Sequence, residues 1–367
     1  MEPESPYSSV NRRKFIQYLA MLGVGGRALL QSGDARAAVY AAKDAVGGKT
    51  AWPEMSYRKL GRTGWNASRL VMGCGATLMF RPKDALLNAA YDAGVNVFDV
   101  GYRGYYRNAE EHLAPFIKKV RDSVFLISKA PADVEVEPNQ SVTSAQAKRA
   151  AELWGRRMDE SLRELRVDHV DAYYLMASYN PSLIESDEVY RVFQSAKQAG
   201  KVSHLGLSTH RNAEKVLLTA AKTGHYDLAM IAVTPAGWYD WESKGILEGT
   251  KPMVELQPVL DKVRESGMGL VGMKAARHLA GLPFVGWFDK PDAFRGFYGK
   301  ELLAAPLSTF QRSYAFVLAH GLDVVNADMS SLAHLEENVA AAVGSPAYFA
   351  SSVLPESSGS AHEQQAV

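Results

Sequence analysis

Two side chains of opposite charge stand where short apolar runs end: Asp99 closes Asn96-Val97-Phe98-Asp99, and Lys129 comes two residues after Val124-Phe125-Leu126-Ile127. From the ends of neighbouring strands a carboxylate and an ammonium can converge, and packing alone gives no reason to put a charged pair there. Three tyrosines, Tyr102, Tyr105 and Tyr106, follow Asp99; each belongs either to such a site or to a packed lid. Other chemistries lack their residues. The single cysteine, Cys74, cannot form an intrachain disulfide, a Cys-based zinc site or an iron–sulfur cluster within one chain. A metal-dependent barrel hydrolase needs His-x-His near its first strand, and Arg69-Leu70-Val71-Met72-Gly73 has no histidine. Gly73-Cys74-Gly75-Ala76-Thr77-Leu78 supplies two glycines of a dinucleotide-binding turn but not the third.

The elements that must position these residues repeat along the chain. Eight short β-branched or apolar runs begin at Arg69, Asn96, Val124, Val170, Leu205, Leu228, Leu270 and Val324. An amphipathic stretch at helical spacing follows each, and Gly94, Gly200, Gly224, Gly267 and Gly321 stand just before the next run, as helix-ending glycines do. Eight strand–helix units predict a parallel sheet with right-handed crossovers, and eight is the number at which such a sheet closes. The expected fold is therefore α/β, a (β/α)8 TIM barrel, in preference to a doubly wound open sheet. Three connections on the catalytic side are long: residues 130 to 142, 234 to 252 and 277 to 308. The last two carry Trp238, Tyr239, Trp241, Phe284, Trp287, Phe288, Phe294, Phe297 and Tyr298, which make either an apolar lid or loops packed on one another.

Composition bounds the rest. The chain has 367 residues and 41 basic against 40 acidic side chains, so it lacks the excess of Lys and Arg that gripping a phosphate backbone needs. A small-molecule ligand is expected and a nucleic-acid partner is not. The N-terminus has Asn11-Arg12-Arg13-Lys14-Phe15-Ile16, a mildly apolar run to Gly26 and the small-x-small site Ala35-Arg36-Ala37. Residues 1–37 resemble a twin-arginine export signal, which implies an encounter with the export machinery and a periplasmic or extracytoplasmic destination. The apolar run falls short of the roughly 20 residues a membrane span needs. Residues 38–54 read as a linker, 55–345 as the barrel and 346–367 as a disordered tail.

The segment Met55-Ser56-Tyr57-Arg58-Lys59-Leu60-Gly61-Arg62-Thr63-Gly64 resembles the N-terminal β-hairpin plug of the aldo-keto reductases. The resemblance continues through Ser68 to Gly75, Gly94 to Asp99, Val124 to Lys129, Gly206 to His210, Gly269 to Lys274 and Met329 to Asn338, in the family's order and spacing. It implies hydride transfer between a nicotinamide cofactor and a small-molecule carbonyl. A tyrosine would be general acid, its phenol pKa lowered by a lysine paired to an aspartate. Asp99 and Lys129 match the pair. Ungapped counting puts Gly104 at the tyrosine's position, and a one-residue slip selects Tyr105, with Tyr106 and Tyr102 as alternatives. The family's histidine is replaced by Met176, whose thioether cannot donate a hydrogen bond. That implies reduced activity or a catalytically silent nucleotide binder. His210 and His278 follow the fifth and seventh runs and are the imidazoles that can reach in from the side. Members of this exported kind often carry a cysteine-rich cluster segment at the C-terminus, which one cysteine does not supply.

For the cofactor, the resemblance assigns Ser208 and Thr209 to the nicotinamide carboxamide and Met273 to its ring face. Met230 stands where relatives often have Gln. Lys274, Ala275 and Ala276 fall along the pyrophosphate, Ser330, Ser331 and His334 near the ribose, and Glu337 and Asn338 at the adenine. Asp328 stands among residues that would meet a 2′-phosphate, which an aspartate repels. NADP(H) and NAD(H) both remain open.

Overall fold

The computed structural model describes residues 52–134, 136–280 and 290–343. The expected signal, the tail, nearly all of the linker, and Phe284, Trp287 and Phe288 lie outside the described residues. Two strands, β1 (Tyr57–Lys59) and β2 (Asn66–Ser68), form an antiparallel hairpin. The next six are β3 (Leu70–Gly73), β4 (Val97–Asp99), β5 (Phe125–Ala130), β6 (Val170–Leu175), β7 (Val202–Thr209) and β8 (Leu228–Thr234). With β11 (Gly269–Met273) and β12 (Val324–Asp328) they make a closed parallel barrel of eight strands: β8 pairs with both β7 and β11, and β12 returns to β3.

The barrel interior follows from a period of two. Val97, Ile127, Ala172, Tyr174, Leu228, Met230, Val271 and Val324 form one buried cluster, closed below by Leu60 and Ala67 of the hairpin. Side chains two apart share a face of a strand, so Asp99 follows Val97 inward, Lys129 follows Ile127, Met176 follows Tyr174 and Asn326 follows Val324. The apolar packing that fills the lower layers thus delivers the polar groups to the top, the end at which barrel active sites lie. The hairpin seats tightly. Gly61 has φ +49°, and a Cβ there would come within 2.2 Å of the Gly269 backbone nitrogen. Arg62 pairs with Asp227 at 2.8 Å, and its backbone N–H donates to the Gly267 carbonyl at 2.8 Å.

Between strands, helices pack outside. The longest, Ser144–Leu165, opens with a capping box in which Thr143 and Gln146 exchange hydrogen bonds. The connection after β8 differs from the open loop expected. It turns back as β9 (Gly237–Asp240), antiparallel to β8, and pairs with β10 (Gly245–Ile246). Alternation there spans too few residues to show in sequence. Its aromatics divide: Trp238 and Tyr239 are buried, and Tyr239 joins the interior cluster. Phe294 and Tyr298 are buried too, and only Phe297 of the described aromatics after β11 is exposed. Packing, more than a lid, accounts for most of the described ones. Among the described residues no helix is long and apolar enough to cross a membrane.

Candidate active site

A cavity of about 550 Å³ opens at the C-terminal ends of the strands. Its floor is the Asp99–Lys129 pair, both side chains 5% exposed. Lys129 Nζ donates to both carboxylate oxygens at 2.6 Å and to the Val100 carbonyl at 2.8 Å, which accounts for its three protons. Asn326 Nδ2 donates to Asp99 Oδ2 at 2.6 Å. Burial pushes the Asp99 carboxyl up, while the Lys129 ammonium and the Asn326 amide pull it down. Behind the lysine, Ser128 donates to Glu110 at 2.6 Å and accepts from the Lys129 backbone N–H at 2.7 Å. Glu110 is itself buried, which pushes its carboxyl up to about 7.

The three tyrosines separate cleanly. Tyr106 lies over Lys129, its ring centroid 5.5 Å from Nζ. A Cβ at Gly75 or Gly101 would come within 2.5 or 2.8 Å of this ring, so both positions leave it room. Tyr105, the residue favoured by the one-residue slip, is the outer partner: it stacks edge-on at 4.8 Å on Tyr106 and is 47% exposed. Both line the cavity. Tyr102 does not; its ring packs under the Arg157 guanidinium at 4.7 Å. Among the described residues no phenol hydroxyl is hydrogen-bonded to Lys129. The expected lowering of the phenol is also not found: burial pushes Tyr106 well up, and Asp328 and Asp99 add to it. The Lys129 charge is matched by Asp99, which leaves little positive field for the ring above.

Of the remaining expected residues, Ser208, Met273, Lys274, His334, Glu337 and Asn338 line the same cavity, as do Met176, Met230 and Asp328. Three do not. Thr209 is fully buried and donates to the Arg211 carbonyl at 2.8 Å. Ser331 caps the helix Leu332–Ala342 by accepting from the His334 N–H, and Ser330 pairs with the His334 ring at 3.2 Å. These hydroxyls are committed to local turns. The sequence reading missed Asn326, Phe310 and Tyr314; Trp241, one of the loop aromatics named as lid or packing, lines the cavity. Asn326 carried a signal, being a lone amide inside the apolar run Val324-Val325-Asn326-Ala327. Trp241 faces Lys274 at 4.9 Å, and Lys244 sits over it at 3.3 Å. Phe310 and Tyr314 come from the helix Thr309–Ala319, which no motif marked.

Comparison with known proteins agrees with this architecture. The aldo/keto reductase family model matches residues 76–252. An uncharacterized oxidoreductase of Bacillus subtilis, YrpG, is 24% identical over 227 residues, 59% of this chain; the chain spans about 65% of that relative's length. An aldo-keto reductase from Klebsiella pneumoniae, solved in complex with NADPH, superposes with a TM-score of 0.55 at 20% identity, covering 79% of this chain and 90% of that one. The holo form of an aldo-keto reductase from Bacillus halodurans gives 0.56 at 21% identity, covering 80% and 92%. At these identities the superpositions speak for the fold, while the family model matches the segment that carries Asp99, Tyr106 and Lys129. Over residues 76–252 the chain matches the aldo/keto reductase family.

Proposed function

We propose that this protein is a nicotinamide-dependent oxidoreductase that reduces an aldehyde or ketone, or oxidises the matching alcohol. The observation that carries the reading is the Asp99–Lys129 pair under Tyr106, in a cavity that runs on to Lys274 and to Glu337 and Asn338. The lining suits a long ligand. It offers an ammonium after the seventh barrel strand, little side-chain bulk at Gly75, Ala76 and Ala276, and polar side chains on the helix Leu332–Ala342. Loops after the seventh and eighth strands hold phosphates in many barrels. A bound reduced nicotinamide supplies a hydride. Ser208 would hold the carboxamide end, Met273 would pack on the ring face, Lys274 would meet phosphate, and Glu337 and Asn338 would meet the adenine.

Tyr106 is the general acid in this reading. Its raised pKa keeps the phenol protonated at working pH, ready to give its proton to the carbonyl oxygen as that oxygen gains charge. Asp99 and Lys129 fix the floor and keep a compensated charge beneath the phenol. The test is consumption of NADH or NADPH against panels of aldehydes and sugars. Turnover on any panel supports the reading. A second reading, a nucleotide-binding barrel with little chemistry, draws on Met176 and on the Lys129 protons being fully spent; tight binding with no turnover would favour it.

Asp328 sets the balance between the two cofactors. Its half-exposed carboxylate lines the cavity at the end of β12, 4.0 Å from Lys274. There it suits a ribose diol and repels a 2′-phosphate. Asp328→Asn is expected to tighten NADPH binding about three- to tenfold without tightening NADH; fluorescence titration reads both constants, and equal shifts would count against the assignment.

We further propose export by the twin-arginine route, on the strength of Arg12-Arg13 and the Ala35-Arg36-Ala37 site. The expected result is a mature chain beginning near Ala38 outside the cytoplasm, lost on Arg12→Lys with Arg13→Lys. N-terminal sequencing of fractionated protein that finds only the full chain in the cytoplasm would refute it.

A further inference from the structure

A carbonyl oxygen that gains charge above Lys129 needs hydrogen-bond donors besides the acid phenol, and the floor has none to spare. Lys129 gives its protons to Asp99 and Val100, and the Asn326 amide donates to Asp99. Met176, at the end of β6, is a thioether. The next strand offers an alternative. β6 and β7 run side by side with Leu175 opposite Leu207, and their ends are tied together: the Ser178 N–H donates to the Ser208 carbonyl at 2.7 Å and the Ala177 N–H to Ser208 Oγ at 3.2 Å. His210 follows directly on this joint and lines the cavity with Tyr106, Lys129 and Met176. Among the described residues neither of its ring nitrogens has a hydrogen-bond partner. Its ring is steadied by Trp241, 5.6 Å away.

We propose that His210 is a further catalytic residue, donating from the neighbouring strand end the hydrogen bond to the substrate's carbonyl oxygen that Met176 cannot give. This rests on the carbonyl reduction proposed above. The other imidazoles near the barrel mouth do not serve. His278 is outside the cavity lining, with its ring 6.0 Å from Phe294, and His334 is exposed and engaged with Ser330.

Charge around His210 fixes its form. Burial, then the ammonium groups of Lys274 (after β11), Lys129 (β5) and Lys244 (between β9 and β10) push its pKa down to about 3; Asp240 of β9 opposes them. The imidazole is therefore neutral at working pH, with one N–H to donate and no proton to release. Its role is to hold the oxygen, and the acid remains the phenol.

The experiment compares wild type, His210→Ala and His210→Asn on an aldehyde that the wild type reduces. His210→Ala should lower kcat/KM about 10²–10³-fold, as loss of an oxyanion donor does. His210→Asn, which keeps an N–H, should recover much of it. The NADPH dissociation constant should stay within about twofold in both variants, because the donor meets the substrate rather than the cofactor. The wild-type pH profile should show no step near the ordinary imidazole pKa. An unchanged kcat/KM in a folded His210→Ala, or equal losses in both variants, would overturn the assignment. Absence of wild-type turnover would instead bring down the carbonyl-reductase reading and this inference with it.

Discussion

Lys129→Met is expected to lower kcat/KM by about 10²–10⁴-fold and to destabilise the barrel by about 3–5 kcal/mol. The two effects share a cause. Asp99 is 5% exposed, and Lys129 supplies the cation and two of the hydrogen bonds that make its charge tolerable. With the ammonium gone, burial already favours the protonated carboxyl, and the Asn326 amide is left as the principal support. Burial then pushes the carboxyl toward its protonated form with no ammonium to oppose it, so the floor beneath Tyr106 loses its cation and holds its anion less well. The double variant Asp99→Leu with Lys129→Met separates the contributions. Replacing a buried pair by apolar groups of similar size is often near neutral for stability. The double variant should therefore melt close to wild type and still be inactive. Thermal melts and kcat/KM measured together read both; a single Lys129→Met variant that keeps full activity would show that the pair is structural only.

Tyr106→Phe carries the second large effect. Removing the phenol hydroxyl takes away the proton donor but leaves the ring over Lys129 and between Gly75 and Gly101, so folding should be little changed. A loss of about 10²–10⁴-fold in kcat, with the cofactor dissociation constant unchanged, is the expected result. Tyr105→Phe should cost far less, since its phenol is the outer, half-exposed one. The reverse ranking, measured on the same aldehyde, would move the acid from Tyr106 to Tyr105.

That ranking marks where the sequence stopped being legible. The barrel could be read because its eight apolar runs and the glycines before them are local signals; Gly200 and Gly224, for instance, do take left-handed conformations, with φ +75° and +69°. Asp99 and Lys129 could be read because inward alternation continues from Val97 and Ile127. Which tyrosine lies over Lys129 could not, because the short helix Arg103–Tyr106 breaks the strand's period and sets the side-chain directions by a turn, not by counting from Asp99. Asn326 was available to the same alternation argument from Val324, but its partner lies 227 residues away in sequence. Trp241 was named only as a lid or packing aromatic, because the hairpin that sets its place has strands of four and two residues, too short for any periodicity. Thr209, Ser330 and Ser331 lie outside the cavity lining with local hydrogen bonds, because matching a motif says which residue stands at a position and not which local turn holds its hydroxyl.

The most direct measurement follows the hydride. The protein is incubated with an aldehyde it turns over and with nicotinamide cofactor deuterated at the transferring carbon, and the product alcohol is analysed by mass spectrometry and NMR. The account predicts one deuterium per product molecule, on the former carbonyl carbon, at a rate that falls about 10²–10⁴-fold in Tyr106→Phe. Product without the label, or a folded Tyr106→Phe that transfers it at the wild-type rate, would contradict it.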